Sequence, residues 1–226
     1  MKWNLSQGLG SGKGDVFQAG IYGSHRFGAA YVSAALAYAW YDMSTDRTVT
    51  AASNGVLRAS FDAHNIGGRL EGGYRFAMSS WGGVTPYGAV QVQSFRTPNY
   101  SEVAGFGNNT FALSYNSNST TASRFELGSW FDHLFAFNNG NAIMLRGRLA
   151  WAHDDGNNGA ISSVFQTLPG AGFTANGAAP PQNLALASVG AELRLVNNVS
   201  LGARFDGEFS DRAQTYSGAV TVRYWW

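Results

Sequence analysis

Apolar and polar side chains alternate along most of this chain, most plainly at its end. In Gln214–Trp226, Tyr216, Gly218, Val220, Val222, Tyr224 and Trp226 fall on one side, and Ser217, Ala219, Thr221, Arg223 and Trp225 on the other. That is the period of a strand, whose successive side chains point to opposite faces. The same period runs through Val16–Arg26, where Phe17, Ala19 and Ile21 oppose Gln18, Tyr22, Ser24 and Arg26. In Tyr31–Thr45, Val32, Leu36, Tyr38 and Trp40 oppose Ser33 and a row of alanines, and in Ser60–Phe76, Ile66, Leu70 and Tyr74 oppose Asn65, Arg69, Glu71 and Arg75. Val84–Phe95, Ser123–Phe135, Ile143–Trp151, Leu184–Leu195 and Leu201–Phe209 continue it, and Trp3–Gln7 is a shorter candidate. The sum is about ten strands, each close to the length that crosses a bilayer at a tilt.

The connections alternate too. Short turns at Phe27-Gly28, Met78–Gly83, Asn138–Gly140 and Asn197-Asn198 are interleaved with longer links at Gly8–Asp15, Asp46–Gly55, Thr97–Thr121 and Asp155–Gln182. Outer-membrane barrels have short periplasmic turns, long outer loops, an even strand number and apolar exteriors edged by aromatic residues. The expected fold is therefore an all-β antiparallel transmembrane β-barrel occupying residues 1–226 as one domain, with its C-terminus on the short-turn side. The long links are expected to be exposed loops, Gly8–Asp15 among them.

Composition sharpens this picture. With 29 glycines, 14% aromatic residues and only 13% charged residues, the chain is unusual for a soluble domain and suits a wall with one face in lipid. The most apolar uncharged run, Phe27–Tyr41, is too short for a membrane helix, and no apolar segment after Met1-Lys2-Trp3-Asn4 forms a signal peptide. The net charge of +1 gives no electrostatic reason to expect a nucleic-acid partner, and the absence of cysteine removes disulfides and thiolate metal sites.

QTYSGAVTVRYWW, preceded by SLGARFDGEFSDR, resembles the end of the bacterial autotransporter translocator domain of type V secretion, which finishes on an aromatic residue. FQAGIYGSHRF, FDAHNIGGRLEGGYRF, VTPYGAVQVQSF, SRFELGSWF, LRGRLAWAHDD and FQTLPGAGFTANGAAPP extend the resemblance in order over nearly the whole chain. Trp225 departs from it, standing where a polar or basic residue is usual. The resemblance implies a twelve-stranded barrel with a helix through its lumen, and its matches begin within the third strand. An open sheet would leave two unpaired edges in lipid, so ten strands must close differently, gain strands from elsewhere or exist only as an artificial fragment. It also implies a pore that helps its own passenger polypeptide reach the cell surface, anchored in outer-membrane lipid, with no cofactor and no catalysis on a separate substrate. Periplasmic chaperones and the barrel-assembly machinery are the implied partners, the latter reading Tyr224 and Trp226 as its signal.

On the inward parity, Arg69, Glu71, Arg124, Glu126, Arg146, Arg148, Glu192, Arg194, Arg204, Asp206, Glu208 and Arg223 are expected to line the lumen. Charges of both signs can stabilise closure by pairing, or keep a conduit wet. Glu126, Asp206 and Glu208 are the inward acids that could assist cleavage of a passenger within a barrel. His153-Asp154-Asp155 invites the alternative of a ten-stranded outer-membrane hydrolase or protease, but strand neighbours point to opposite faces and cannot form a dyad. A small porin and a soluble β-sandwich are further alternatives. His25, His64 and His133 are isolated, with no metal-ligand spacing. GLGSGKGD lacks the Ser or Thr that a phosphate loop needs after its lysine, where Gly14 stands.

Overall fold

The computed structural model describes residues 1–50, 55–78, 82–156, 159–177 and 179–226. In chain order its strands are β1 (Lys2–Asn4), β2 (Gly10–Phe27), β3 (Ala30–Val49), β4 (Gly55–Tyr74), β5 (Phe76–Met78), β6 (Gly82–Thr97), β7 (Tyr100–Ser101), β8 (Val103–Phe106), β9 (Leu113–Tyr115) and β10 (Asn118–Ala136). They continue as β11 (Ala142–Gly156), β12 (Ile161–Phe165), β13 (Leu168–Ala175), β14 (Asn183–Arg194), β15 (Val199–Phe209) and β16 (Gln214–Tyr224), and one 3-10 turn spans Ser6–Gly8. The long strands form one antiparallel wall, β1-β2-β3-β4-β6-β10-β11-β14-β15-β16, with β5 added to β6 and β8 to β4. A separate four-stranded sheet, β13-β12-β9-β7, is built from the two longest connections.

All-β antiparallel architecture is what the alternation predicts, and the register fixes its two faces. Arg69 pairs with Ala35 and Gln91, Gln91 with Arg124, Arg124 with Asp154, and Ser188 with both Arg148 and Asp206, so all of these share one face. The opposite face carries Ile21, Leu36, Ile66, Leu70, Leu127, Leu149, Val189 and Val220, all large, apolar and exposed. Val220 is 83% exposed and Leu127 63%, values that water would penalise and lipid would reward.

The polar face is concave. A hollow of about 1060 Å³ is lined by Ser24 and Arg26 from one end of the wall and by Ala219, Thr221 and Arg223 from the other, so the sheet curls until both edges face one space. It does not close on itself: among the described residues β16 pairs only with β15, and β2 beyond β1 pairs only with β3.

The wall is uneven in height. β3 and β4 have 20 residues each, β15 and β16 only 11. At about 3.3 Å per residue the tall strands reach roughly 66 Å, whereas about ten residues suffice to cross a bilayer, so their outer ends stand clear of it.

That height corrects several expectations. Asp46–Val49 is strand, because Val49 pairs with Gly55 and Arg47 with Leu57; the loop expected at Asp46–Gly55 shrinks to a connection whose residues 51–54 lie outside the described ones. Gly10–Asp15 belongs to β2, where the Trp3 indole lies on Gly12 with no room for a β-carbon, an aromatic ring covering strand glycine. Trp3–Gln7 gives way to the 3-10 turn after Asn4. Thr97–Thr121 and Asp155–Gln182 contain the short strands β7, β8, β9, β12 and β13, and Asn118–Thr121 extends β10, while residues 157–158 and 178 are outside the description. The short turns lie where expected, with Gly28 at φ 64° and Gly140 at φ 82°, a region glycine enters without strain, and Asn198 at φ 61°. Of the Met78–Gly83 turn, residues 79–81 lie outside the described residues.

Candidate functional site

Small residues make room for the charges of the concave face. Glu126 has Ala89 and Ala152 as its cross-strand neighbours, and Arg69 has Ala35, so long side chains can fold over the wall and meet one another. Arg69 donates from Nη1 to Glu126 Oε1 and from Nη2 to Glu126 Oε2, both at 2.8 Å, and from Nη2 to Glu71 Oε2 at 2.7 Å. Tyr31 donates its hydroxyl to Glu71 Oε1 at 2.7 Å, Tyr87 donates to Glu126 Oε2 at 3.2 Å, and Arg148 stands 3.8 Å from the same oxygen. Glu126 is only 4% exposed, and the fork of Arg69 together with Tyr87 satisfies the carboxylate that burial would otherwise penalise.

A second cluster lies across β10, β11 and β15. Arg124 donates from Nε and Nη2 to Asp154 at 2.6 and 2.8 Å, and from Nη1 and Nη2 to Glu208 at 3.0 and 3.3 Å. Asp206 accepts from Arg204 Nε and Nη2 at 2.9 and 2.6 Å and from Ser188 Oγ at 2.5 Å. Towards the short-turn end Arg194 Nε donates to Glu192 at 3.2 Å, and Arg223 comes within 3.8 Å of that carboxylate. The guanidinium carbons of Arg148 and Arg204 sit 5.4 and 5.5 Å from the centre of the Trp130 ring, within reach of its π face. Among the described residues Arg146 has no ion pair; it lines the hollow instead, with Arg26 and Arg223.

All twelve residues picked out by parity therefore share the concave face, and eleven of them enter ion pairs. The twelve leave out the Arg75–Asp132 pair (3.0 and 2.6 Å), Tyr31 and Tyr87, which each donate to one carboxylate, and Trp130. Arg75 and Asp132 are legible from parity; the two tyrosines are not, because a tyrosine suits either face of a membrane strand. Asp154 is a full member of the Arg124 cluster, and His153 points the other way, as strand neighbours do, its Nδ1 3.1 Å from Asn183 Oδ1. No group of three metal-ligating side chains occurs among the described residues, and none of their helices is long and apolar enough to cross a membrane. Tyr224 ends β16 on the outward face, opposite Val199, and Trp226 extends beyond the strand fully exposed.

What the arrangement can do chemically is hold water and charge on one side of a wall while offering lipid the other. Known proteins share this fold. The beta domain of the Bordetella autotransporter BrkA superposes with a TM-score of 0.62 at 21% identity, covering 97% of this chain and 76% of that one. Two proteins of Serratia marcescens, each called an extracellular serine protease, are 26% and 24% identical over 204 residues. That stretch is 90% of this chain and 19% of each relative, so the chain spans about a fifth of their length. A family model for the autotransporter beta-domain matches residues 1–206, and the chain belongs to that family.

Proposed function

We propose that this chain is the membrane-anchored translocator of its own polypeptide: the outward face sits in outer-membrane lipid, and the concave face lines the path by which an N-terminal passenger reaches the cell surface. The observation that carries this reading is the separation of faces. The twelve charged residues from Arg69 to Arg223 fall on the concave side, and most of the large exposed apolar residues, Ile21, Leu36, Ile66, Leu127, Leu149 and Val220 among them, fall on the other, with Val16, Tyr22 and Leu134 as exceptions. An unfolded polypeptide in transit carries unsatisfied amides and mixed charges, and a bore lined by ion pairs and tyrosine hydroxyls accommodates both without adhering to either.

The free edges of β2 and β16 cannot face lipid, where each unpaired backbone group costs several kcal/mol. Strands from outside residues 1–226 therefore complete the wall, and the whole functions as one domain. Tyr224 and Trp226, at the short-turn end of the last strand, are the features offered to the assembly machinery, and periplasmic chaperones deliver the chain to it. The wall performs no catalysis on a separate substrate; eleven of the twelve charged groups are paired, and Arg146, which has no ion pair among the described residues, is left to the bore.

The test is made with the protein from its complete gene in a Gram-negative host, carrying an epitope tag in the passenger. The expected result is a tag accessible to added protease on intact cells, together with heat-modifiable mobility of the outer-membrane fraction. A tag held in the periplasm by a properly folded barrel contradicts the proposal.

A further inference from the structure

The concave face changes character towards its outer end. Along β4, Asn65, Arg69 and Glu71 are polar, whereas Leu57, Ala59, Phe61 and Ala63 on the same parity are apolar, and Leu57, Ala59 and Ala63 are buried. A face that would otherwise line open water is dry there, and the first long outer connection lies against it. Tyr100 stacks on Phe61 with ring centres 4.0 Å apart, Tyr115 stacks on Tyr100 at 4.5 Å, and Ala112 and Leu113 are buried with them.

One charged pair joins that connection to the wall. Arg47, which the register places opposite Leu57 on the concave side of β3, donates from Nε and Nη2 to the two carboxylate oxygens of Glu102, at 2.9 and 2.5 Å. Its Nη2 also donates to the Phe111 carbonyl at 2.8 Å. Glu102 is 2% exposed and accepts in addition from Leu113 N–H at 3.0 Å and from the Tyr115 hydroxyl at 3.1 Å. The second long connection closes the knot, because Gln166 Nε2 donates to the Glu102 carbonyl at 2.7 Å.

We propose that residues 98–117 and 161–175 of the two long outer connections form a lid seated inside the outer mouth of the bore, latched to the wall by Arg47 and Glu102, and that a polypeptide passes only when this latch releases. The inference rests on the conduit reading above. An ion pair with a buried carboxylate is suited to the task because its two states differ sharply: the Glu102 side chain is 3% exposed and that of Arg47 35%. Made, it satisfies both charges; broken, it leaves the carboxylate unpaired in a dry setting, and replacing both partners by apolar groups removes the conflict. The aromatic stack alone holds the lid by contact area, which has no such sharpness.

The experiment uses the protein from its complete gene and three variants: Glu102→Ala, the double replacement Arg47→Met with Glu102→Leu, and deletion of residues 99–116. Heat-modifiable mobility reports the folded wall, protease cutting between residues 98 and 117 on intact cells reports the lid, and uptake of a large hydrophilic dye reports the bore. Glu102→Ala is expected to raise both cutting and uptake by about tenfold or more, the scale of losing charge-assisted hydrogen bonds to a buried carboxylate. The double replacement is expected to return both towards the starting level. Uptake unchanged by Glu102→Ala but raised by the deletion overturns the latch and leaves the conduit standing. Uptake unchanged in the deletion variant with a folded wall overturns the conduit and the lid together. If Glu102→Ala fails to fold, Phe61→Cys with Tyr100→Cys decides: cross-linking the pair is expected to stop passenger export and reduction to restore it, and export indifferent to the cross-link overturns the lid.

Discussion

The Arg69–Glu126 cluster on the bore wall and the Arg47–Glu102 pair beneath the outer connections use the same two chemical groups in opposite surroundings. Around Glu126 the concave face is mostly small side chains, further arginines and tyrosine hydroxyls, so a lost partner has a replacement: Arg69 keeps Glu71, and Arg148 stands close by. Around Glu102 are Leu57, Leu113 and a stack of three aromatic rings, and a lost partner there has no second cation within 4 Å among the described residues. The lining of a conduit is built to tolerate rearrangement, and the outer module is built as a small core. Charge in the first is redundant; charge in the second is a single point of failure.

Leu57→Ala should break the comparison most clearly if it is wrong. Leu57 is 1% exposed, and emptying that site costs about 2–5 kcal/mol by the usual large-to-small arithmetic. The loss should appear as hydrogen exchange and protease cutting confined to residues 98–117, with the wall unaffected. Glu126→Ala comes next. It removes two of the bonds of Arg69, which keeps Glu71, and the carboxylate near Arg148, so we expect about 1–3 kcal/mol off the unfolding stability in detergent, below the cost at Leu57. A larger loss than at Leu57 would show that the bore wall is the tighter core of the two.

Alkaline pH sharpens the contrast. Burial first, then the Glu102 carboxylate, raises the Tyr115 hydroxyl above the ordinary tyrosine value, and burial raises Tyr100 in the same direction. A raised folded value means the folded module prefers the neutral phenol. Its contribution is therefore complete below the unfolded value of about 10 and is lost as pH climbs past the folded one. Protease cutting in residues 98–117 should accordingly rise only above about pH 10, and Tyr115→Phe should move that onset. Arg146→Ala is the smallest effect: exposed on the bore wall and without an ion pair, its loss should change stability by less than about 0.5 kcal/mol while altering pore conductance. Unchanged conductance would reduce Arg146 to scaffolding.

The wall was legible because membrane strands write their orientation into every second residue. Ile66 and Leu70 against Arg69 and Glu71 give the face of β4 before any coordinate is known, and the other strands repeat it. The outer module was not legible for the opposite reason. Its strands are as short as two residues, its partners are 55 positions apart at Arg47 and Glu102, and Asn- and Ser-rich sequence carries no period. One signal was present and unused. A parity that is polar at Asn65, Arg69 and Glu71 turns apolar at Leu57, Ala59, Phe61 and Ala63, which is the mark of a lining covered by something else. The heights of β3 and β4 escaped notice likewise, since Asp46–Thr48 and Arg58 look like loop until they are seen paired across the hairpin.

The central claim is that lipid and water meet on opposite sides of one curled sheet. The chain has no native cysteine, so single cysteines can be placed in turn from Leu145 to Trp151 without altering its background. At each position, quenching of an attached fluorophore by brominated lipid is compared with reaction towards a charged, water-soluble thiol reagent. The account predicts strict alternation, with 145, 149 and 151 quenched by lipid and 146, 148 and 150 reached from water. A uniform response along the strand, or lipid quenching at 146 and 148, would contradict it.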